Sequence, residues 1–115
     1  VTYGRNKVWK DEITLWTDCL KKSPKKWRVH HNLGLAYENI GDKDKAIKHY
    51  QRAIEFYPYA IEPRLHLATM LTQKGRYQEA MIELSIVLEI VPNNIEAINK
   101  LQFVKQLRMQ QFQRR

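Results

Sequence analysis

Apolar residues in the middle of the chain fall three and four positions apart rather than in alternation, which is the spacing of one face of a helix. Leu33, Ala36, Tyr37 and Ile40 form one stripe, and Ala46, Ile47, Tyr50, Ala53 and Ile54 form the next, with the polar run "GDKD" between them. Gly41 is placed to stop the first helix, and Asp42 or Asp44 to accept hydrogen bonds from the unpaired amides that open the second. Pro58 disfavours helix in the residue before it and so ends the second helix. The pattern predicts a helix hairpin.

The hairpin then recurs. Pro24, Pro58 and Pro92 stand at a 34-residue step, and the same step joins Leu33 to Leu67, Gly41 to Gly75, Ala46 to Ala80, and Leu20 to Ile54 and Leu88. A fixed period of this length is the signature of a repeat architecture. Leu67, Ala68, Leu71, Ala80, Met81, Leu84 and Val87 carry the second copy of the apolar pattern. Gly34 is anomalous within it, because a glycine inside a helix costs roughly 0.5–1 kcal/mol relative to alanine. A close approach of the two helices of one unit explains it, with Ala68 serving the same site in the next.

These residues resemble a tetratricopeptide repeat. "HHNLGLAYENIGDKDKAIKHYQRAIEFYP" carries Leu33, Gly34, Tyr37, Gly41, Ala46, Tyr50, Ala53 and Pro58 at that family's spacing. "RLHLATMLTQKGRYQEAMIELSIVLEIVP" departs from it with Ala68 for the small residue, Leu71 and Leu84 for the aromatics, and Val87 for alanine. The resemblance implies an all-α fold, a right-handed solenoid of antiparallel helix hairpins with about six helices. The expected organisation is a single domain over 1–115: a capping half-repeat at 8–23, repeats at 27–60 and 61–94, and a capping helix at 95–113.

The flanks break the pattern in informative ways. Trp9, Ile13, Trp16, Cys19 and Leu20 fall in the register of a second helix, but Glu12 occupies the place of Ala46 and Ala80. A buried glutamate facing a first helix is costly, so this half-unit is expected to lack that partner. The last helix follows "PNN" and runs through Ile98, Leu101, Val104 and Met109, with Phe103, Leu107 and Phe112 partly off its packed stripe. Those three residues suit self-association with another copy.

Net charge is +8, and its distribution decides what that means. Residues 1–26 and 95–115 carry +4 each, while 27–60 carry +1 and 61–94 carry −1. Both ends are basic and the middle is near neutral, so nucleic acid is an unlikely partner and electrostatic binding of it or of a membrane surface ranks below protein binding. "KKSPKK" at 21–26 reads as a solvated turn, with an acidic partner or phosphate as its minority reading.

Catalytic and metal chemistry finds little support. His30, His31 and His66 have no Glu or Cys at ligand spacing, and neighbouring helical side chains point about 100° apart. Cys19 sits in a core register with no positioned base, the glycines form no phosphate loop, and Asp11–Glu12 has no pocket. Trp9, Trp16, Tyr50 and Tyr77 fall at core positions rather than on a base-stacking platform. No enzyme, cofactor, metal site or small-molecule substrate is expected.

What the resemblance implies instead is a protein–protein interaction scaffold whose concave face binds a peptide or partner protein. Its site residues would be Arg28, His31, Asn32, Leu35 and Asn39 in the first unit, Glu62, Leu65, His66, Thr69 and Gln73 in the second, and Asn99 and Phe103 on the last helix. Leu35, Leu65 and Phe103 are the expected apolar anchors. Some members grip a C-terminal carboxylate with Lys, Arg and Asn; Asn32 fits one such place, but Glu62 and His66 stand where basic residues are needed, so that clamp is not expected. The competing reading is stacking against further repeats of a longer protein. Residues 5–24 look like the junction before the repeat tail of bacterial polytopic glycosyltransferase-like membrane proteins, which implies an extracytoplasmic tail, with the cytoplasm as the alternative. The start at Val1 rather than Met fits a processed product or a fragment.

Overall fold

Six α-helices follow one another in a computed structural model that describes residues 2–23 and 26–113, with side chains from Lys10 onward. They are α1 (Thr2–Lys22), α2 (Trp27–Asn39), α3 (Lys43–Phe56), α4 (Ile61–Gln73), α5 (Tyr77–Ile90) and α6 (Ile95–Gln113), and the described residues contain no strand. The side chain of Trp9, and Pro24 and Lys25 of the "KKSPKK" turn, lie outside the described residues. The chain divides into two compact units, Val1–Pro63 and Arg64–Arg115.

The hairpin turns are built by the residues that the sequence pattern singles out. Gly41 and Gly75 take φ of 89° and 78°, the left-handed region that a side chain disfavours. After Gly41, the Asp42 amide donates to Tyr37 O at 2.9 Å and the Gly41 amide to Glu38 O at 3.1 Å. After Gly75, Arg76 N donates to Leu71 O and Gly75 N to Thr72 O, so both turns close the carbonyls of the last helical turn by the same paired motif. Asp42, not Asp44, caps α3 by accepting from Lys45 N at 3.2 Å. Asn94 Oδ1 does the same for α6, accepting from Ala97 N. Tyr57 and Val91, each before a proline, leave the helix with ψ of 88° and 89°.

In the first unit Val29, Leu33 and Ala36 of α2 and Ala46, Ile47, Tyr50 and Ala53 of α3 are buried. Between the two helices lies the contact that accounts for Gly34. A Cβ placed on Gly34 meets Tyr50 Cε1, Cδ1 and Cζ at 2.5, 2.7 and 2.9 Å, so the ring occupies the space of the missing side chain. The Tyr50 hydroxyl is not left bare, because it donates to Glu38 Oε1 at 2.7 Å. Burial, and then that hydrogen bond, push its pKa far above the ordinary value.

The second unit fills the same register differently. Its core comprises Leu67, Ala68, Met70 and Leu71 of α4, Ala80, Leu84 and Val87 of α5, and Ala97 and Val104 of α6. Ala68, Leu84 and Thr72 stand one period after Gly34, Tyr50 and Glu38. A narrower leucine leaves room for the alanine methyl, and with no hydroxyl to satisfy, Thr72 turns to its own helix and donates to Ala68 O at 2.7 Å. On α1 the expected burial of Cys19 is corrected: the thiol is half-exposed, as are Trp16 and Leu20, because α1 packs chiefly on α2.

Gly34→Ala is expected to destabilise the protein despite the better helix propensity of alanine, since overpacking costs about 1–3 kcal/mol and propensity returns less than about 1. Adding Tyr50→Leu copies the Ala68–Leu84 pair, so urea unfolding of the two single variants and the double should give a double variant less destabilised than the sum.

Candidate functional site

The first helix of each hairpin presents the residues expected to meet a partner. On α2, Arg28 is exposed with its guanidinium 5.1 Å from the Trp27 ring centroid, and Asn32 and Leu35 are half-buried. Asn39 is exposed, but its Nδ2 donates to Leu35 O at 2.8 Å and so satisfies the end of its own helix. His31 is corrected as a surface residue: at 8% exposure its ring lies against Trp27 and Tyr50, with centroids 6.1 and 5.8 Å away. Glu62 is exposed at the start of α4.

In the second unit, Leu65 is also corrected as an apolar anchor, being 6% exposed and part of the core. The α4 stripe is wider than the hairpin pattern alone suggests, because Arg64, Leu65, Leu67 and Ala68 are consecutive or nearly so and all are buried. His66 is half-buried and Asn99 exposed. Thr69 and Gln73 of α4 and Phe103 of α6 come together on one cavity of about 210 Å³, with Lys100 beside them and Ala68, Leu84 and Val104 as its floor. Lys100 Nζ donates to Thr69 Oγ1, and the Thr69 hydroxyl donates to Leu65 O at 3.1 Å. Glu96 Oε2 lies 3.5 Å from the same ammonium. The cavity therefore offers an apolar base, a 56%-exposed phenyl ring and a cation at its wall.

Lys100 was not among the expected site residues. Its signal is the period itself, since it stands one repeat beyond His66 and two beyond Asn32. The stripe of Ile98, Leu101 and Val104 drew attention to the other face of α6.

A second group of side chains escaped the sequence reading because it joins two helices. His30 of α2 and His49 of α3 bring their Nδ1 atoms to 3.5 Å. His30 stacks on Phe56 and His49 on Tyr37, the latter pair nearly parallel at 7°. Burial, and then the charges of His30, Lys48, Arg52 and Lys45, lower the His49 pKa from 6.5 to about 4. Among the described residues, no three His, Cys, Asp or Glu side chains gather as a metal would require.

Helix hairpins that recur at a 34-residue step define a helical-repeat fold. Residues 27–59 match the family model of the tetratricopeptide repeat. The chain is 28% identical over 122 residues to the BBSome complex member BBS4 of Bos taurus, an alignment covering 77% of this chain and 24% of that protein. To the human protein O-mannosyl-transferase TMTC3 it is 27% identical over 95 residues, covering 79% of this chain and 10% of that protein. The chain thus spans a quarter or less of the length of these relatives. Among solved structures, the first repeat domain of Spaghetti (RPAP3) bound to the HSP90 peptide SRMEEVD superimposes with a TM-score of 0.83 at 21% identity, covering 91% of this chain and 83% of that one. The Yersinia enterocolitica secretion chaperone SycD in complex with a peptide of YopD gives 0.80 at 21%, covering 90% and 85%. The fold is the all-α tetratricopeptide-repeat fold.

Because the folded state holds His49 neutral down to about pH 4 while the unfolded chain protonates it near 6.5, its contribution to stability is complete above 6.5 and is lost as pH falls towards 4. Thermal unfolding followed by circular dichroism between pH 4 and 8 should show a falling midpoint in that window, and His49→Gln should flatten the slope.

Proposed function

We propose that this chain is a binding module without catalysis of its own, and that it takes up a peptide segment of a partner protein between α4 and α6. The observation that carries the reading is the cavity where Thr69, Gln73, Lys100 and Phe103 meet over an apolar floor. An apolar peptide side chain fits that floor against Phe103, and a neighbouring carboxylate or carbonyl accepts from Lys100 or Gln73. Solved relatives of the fold hold peptides, among them SRMEEVD and a segment of YopD, which supports the same mode of use here. Arg28, Asn32, Leu35 and Glu62 are the first unit's own partner-facing candidates, while His31 and Leu65 act from the core.

A second reading is self-association through α6. It is favoured by the exposure of Phe103 and Phe112, 56% and 58%, with half-buried Leu107 between them. Likeness to one tenth of TMTC3 supports placing the module within a longer protein; no described helix is itself long and apolar enough to cross a membrane.

Selection of a displayed random-peptide library on the wild-type protein should enrich one apolar-plus-acceptor consensus. Phe103→Asp, at an exposed position, is expected to weaken the enriched peptide by about tenfold or more in fluorescence polarisation with an unchanged melting curve. Equal affinity for both proteins removes the α4–α6 cavity as the site, and enrichment of nothing rejects peptide binding. A sedimentation mass that rises with concentration and is lowered by Phe112→Asp selects the second reading instead.

A further inference from the structure

A second groove lies between α5 and α6 and shares no lining residue with the α4–α6 cavity. It measures about 420 Å³ and is lined by Met81 of α5 and by Lys105, Arg108, Met109 and Phe112 of α6. The four α6 residues follow the i, i+3, i+4, i+7 spacing of one helix face. Three of the five side chains are apolar, two are cations, and no carboxylate is among them. Met109 and Phe112 are 61% and 58% exposed, Lys105 is exposed, and Met81 and Arg108 are half-buried. The Arg108 guanidinium lies 5.5 Å from the Phe112 ring centroid, which sets charge and apolar surface side by side. Among the described residues neither Lys105 nor Arg108 has an ion-pair partner. Glu79, which lines an adjoining recess with Arg108, is paired with Arg76.

The 34-residue period tells what this face of a leading helix does elsewhere. Gln102 and Lys105 stand one period after Ala68 and Leu71 and two after Gly34 and Tyr37. In the first hairpin those two positions meet the second helix directly, since Gly34 receives the Tyr50 ring and Tyr37 stacks on His49. On α6 the same face is exposed at Gln102 and Lys105. Met109 replaces the turn glycines Gly41 and Gly75, so α6 runs for 19 residues against 13 in α2 and α4, and Met109 and Phe112 extend the stripe. Gln102 fills the place of the small residue, which excludes as close an approach as Gly34 and Ala68 allow. A helix that docks here therefore stands farther off, and the long, adaptable side chains of Met81, Lys105, Arg108 and Met109 suit that spacing.

We propose that this groove binds an amphipathic helix of a partner protein whose apolar stripe is flanked by acidic residues, seated along α6 where a hairpin's second helix would pack. Its apolar side chains lie against Met81, Met109 and Phe112 at helical spacing. Its carboxylates pair with Lys105 and Arg108. Charge selects the partner. Residues 95–115 carry +4 and the whole chain +8, so a second copy that meets this face with its own α6 brings like charges together. A lipid bilayer supplies negative charge but no ridge to enter a groove whose lining includes half-buried Met81.

The test uses the whole chain labelled with ¹³C-methyl methionine, because its three methionines, Met70, Met81 and Met109, report separately. Two synthetic helices of about 18 residues share one apolar stripe and carry either glutamate or lysine beside it. Titration with the glutamate helix should give saturable shifts at Met81 and Met109, while Met70, buried in the core, stays in place. The lysine helix should bind about tenfold more weakly or worse. Lys105→Glu, at an exposed position, should weaken the glutamate helix about tenfold and strengthen the lysine helix, a reversal that loss of structure cannot produce. Lys48→Glu, the same change of charge at an exposed position of the first unit, should alter either affinity by less than about twofold. Absence of saturation, or equal affinity for the two helices, overturns the proposal. So does an equal loss with Lys48→Glu, which shows a diffuse field rather than a site. Shifts at Met81 and Met109 that grow with protein concentration alone overturn it in favour of a second copy. Uptake onto phosphatidylserine vesicles without binding of the glutamate helix overturns it in favour of a lipid surface.

Discussion

The seating of the Tyr50 ring on the bare backbone of Gly34 fixes the first hairpin. It limits how far α2 and α3 can tolerate a side chain there, because a single added carbon atom meets the ring at 2.5 Å. The residues around it depend on that distance. Leu33 and Ala36 on one helix and Ala46, Ile47 and Ala53 on the other are buried because the backbones are near enough for short side chains to fill the gap. The ring brings a hydroxyl into the core, and Glu38 is placed to receive it. Glycine's helix penalty is thus offset by the burial of a large aromatic side chain, which contributes on the order of 2–3 kcal/mol.

The second hairpin reaches the same architecture by exchanging the whole set. Ala68, Leu84 and Thr72 are as consistent with one another as Gly34, Tyr50 and Glu38 are, and a mixture of the two sets is not. Packing in these units is therefore a property of trios of positions, and the 34-residue period preserves the geometry while the chemistry varies. The Arg64–Glu83 and His30–His49 pairs show the same freedom with polar groups.

Charge follows a similar division of labour. The +4 at each end of the chain lies in α1 and α6 and the residues flanking them, so the overall basicity does not describe the α4–α6 cavity or the one along α3. What each cavity offers is decided by a few side chains: one ammonium beside a phenyl ring in the α4–α6 site, and Lys48 and Arg52 beside two imidazoles along α3. Burial keeps His49 from simply gaining a proton, since desolvation and the neighbouring positive charges act on it in the same direction.

The 34-residue step, the two helix-stopping glycines, a cap at Asp42 or Asp44 and the helix ends before Pro58 and Pro92 were all legible in the sequence, because each rests on local backbone geometry or on helical periodicity. So was the small residue at position 34, since its penalty is local even though its reason is not. The partner-facing residues were legible only in part. Leu65 and His31 fall on the leading helices at outward register, yet both are buried, because the width of a packed stripe depends on which neighbours lie against it. Lys100 joined Thr69, and His49 met His30, through contacts 31 and 19 residues apart in the chain. Periodicity along the sequence determines which residues share a helix face, whereas only the packing of one helix on another decides which side chains meet across it.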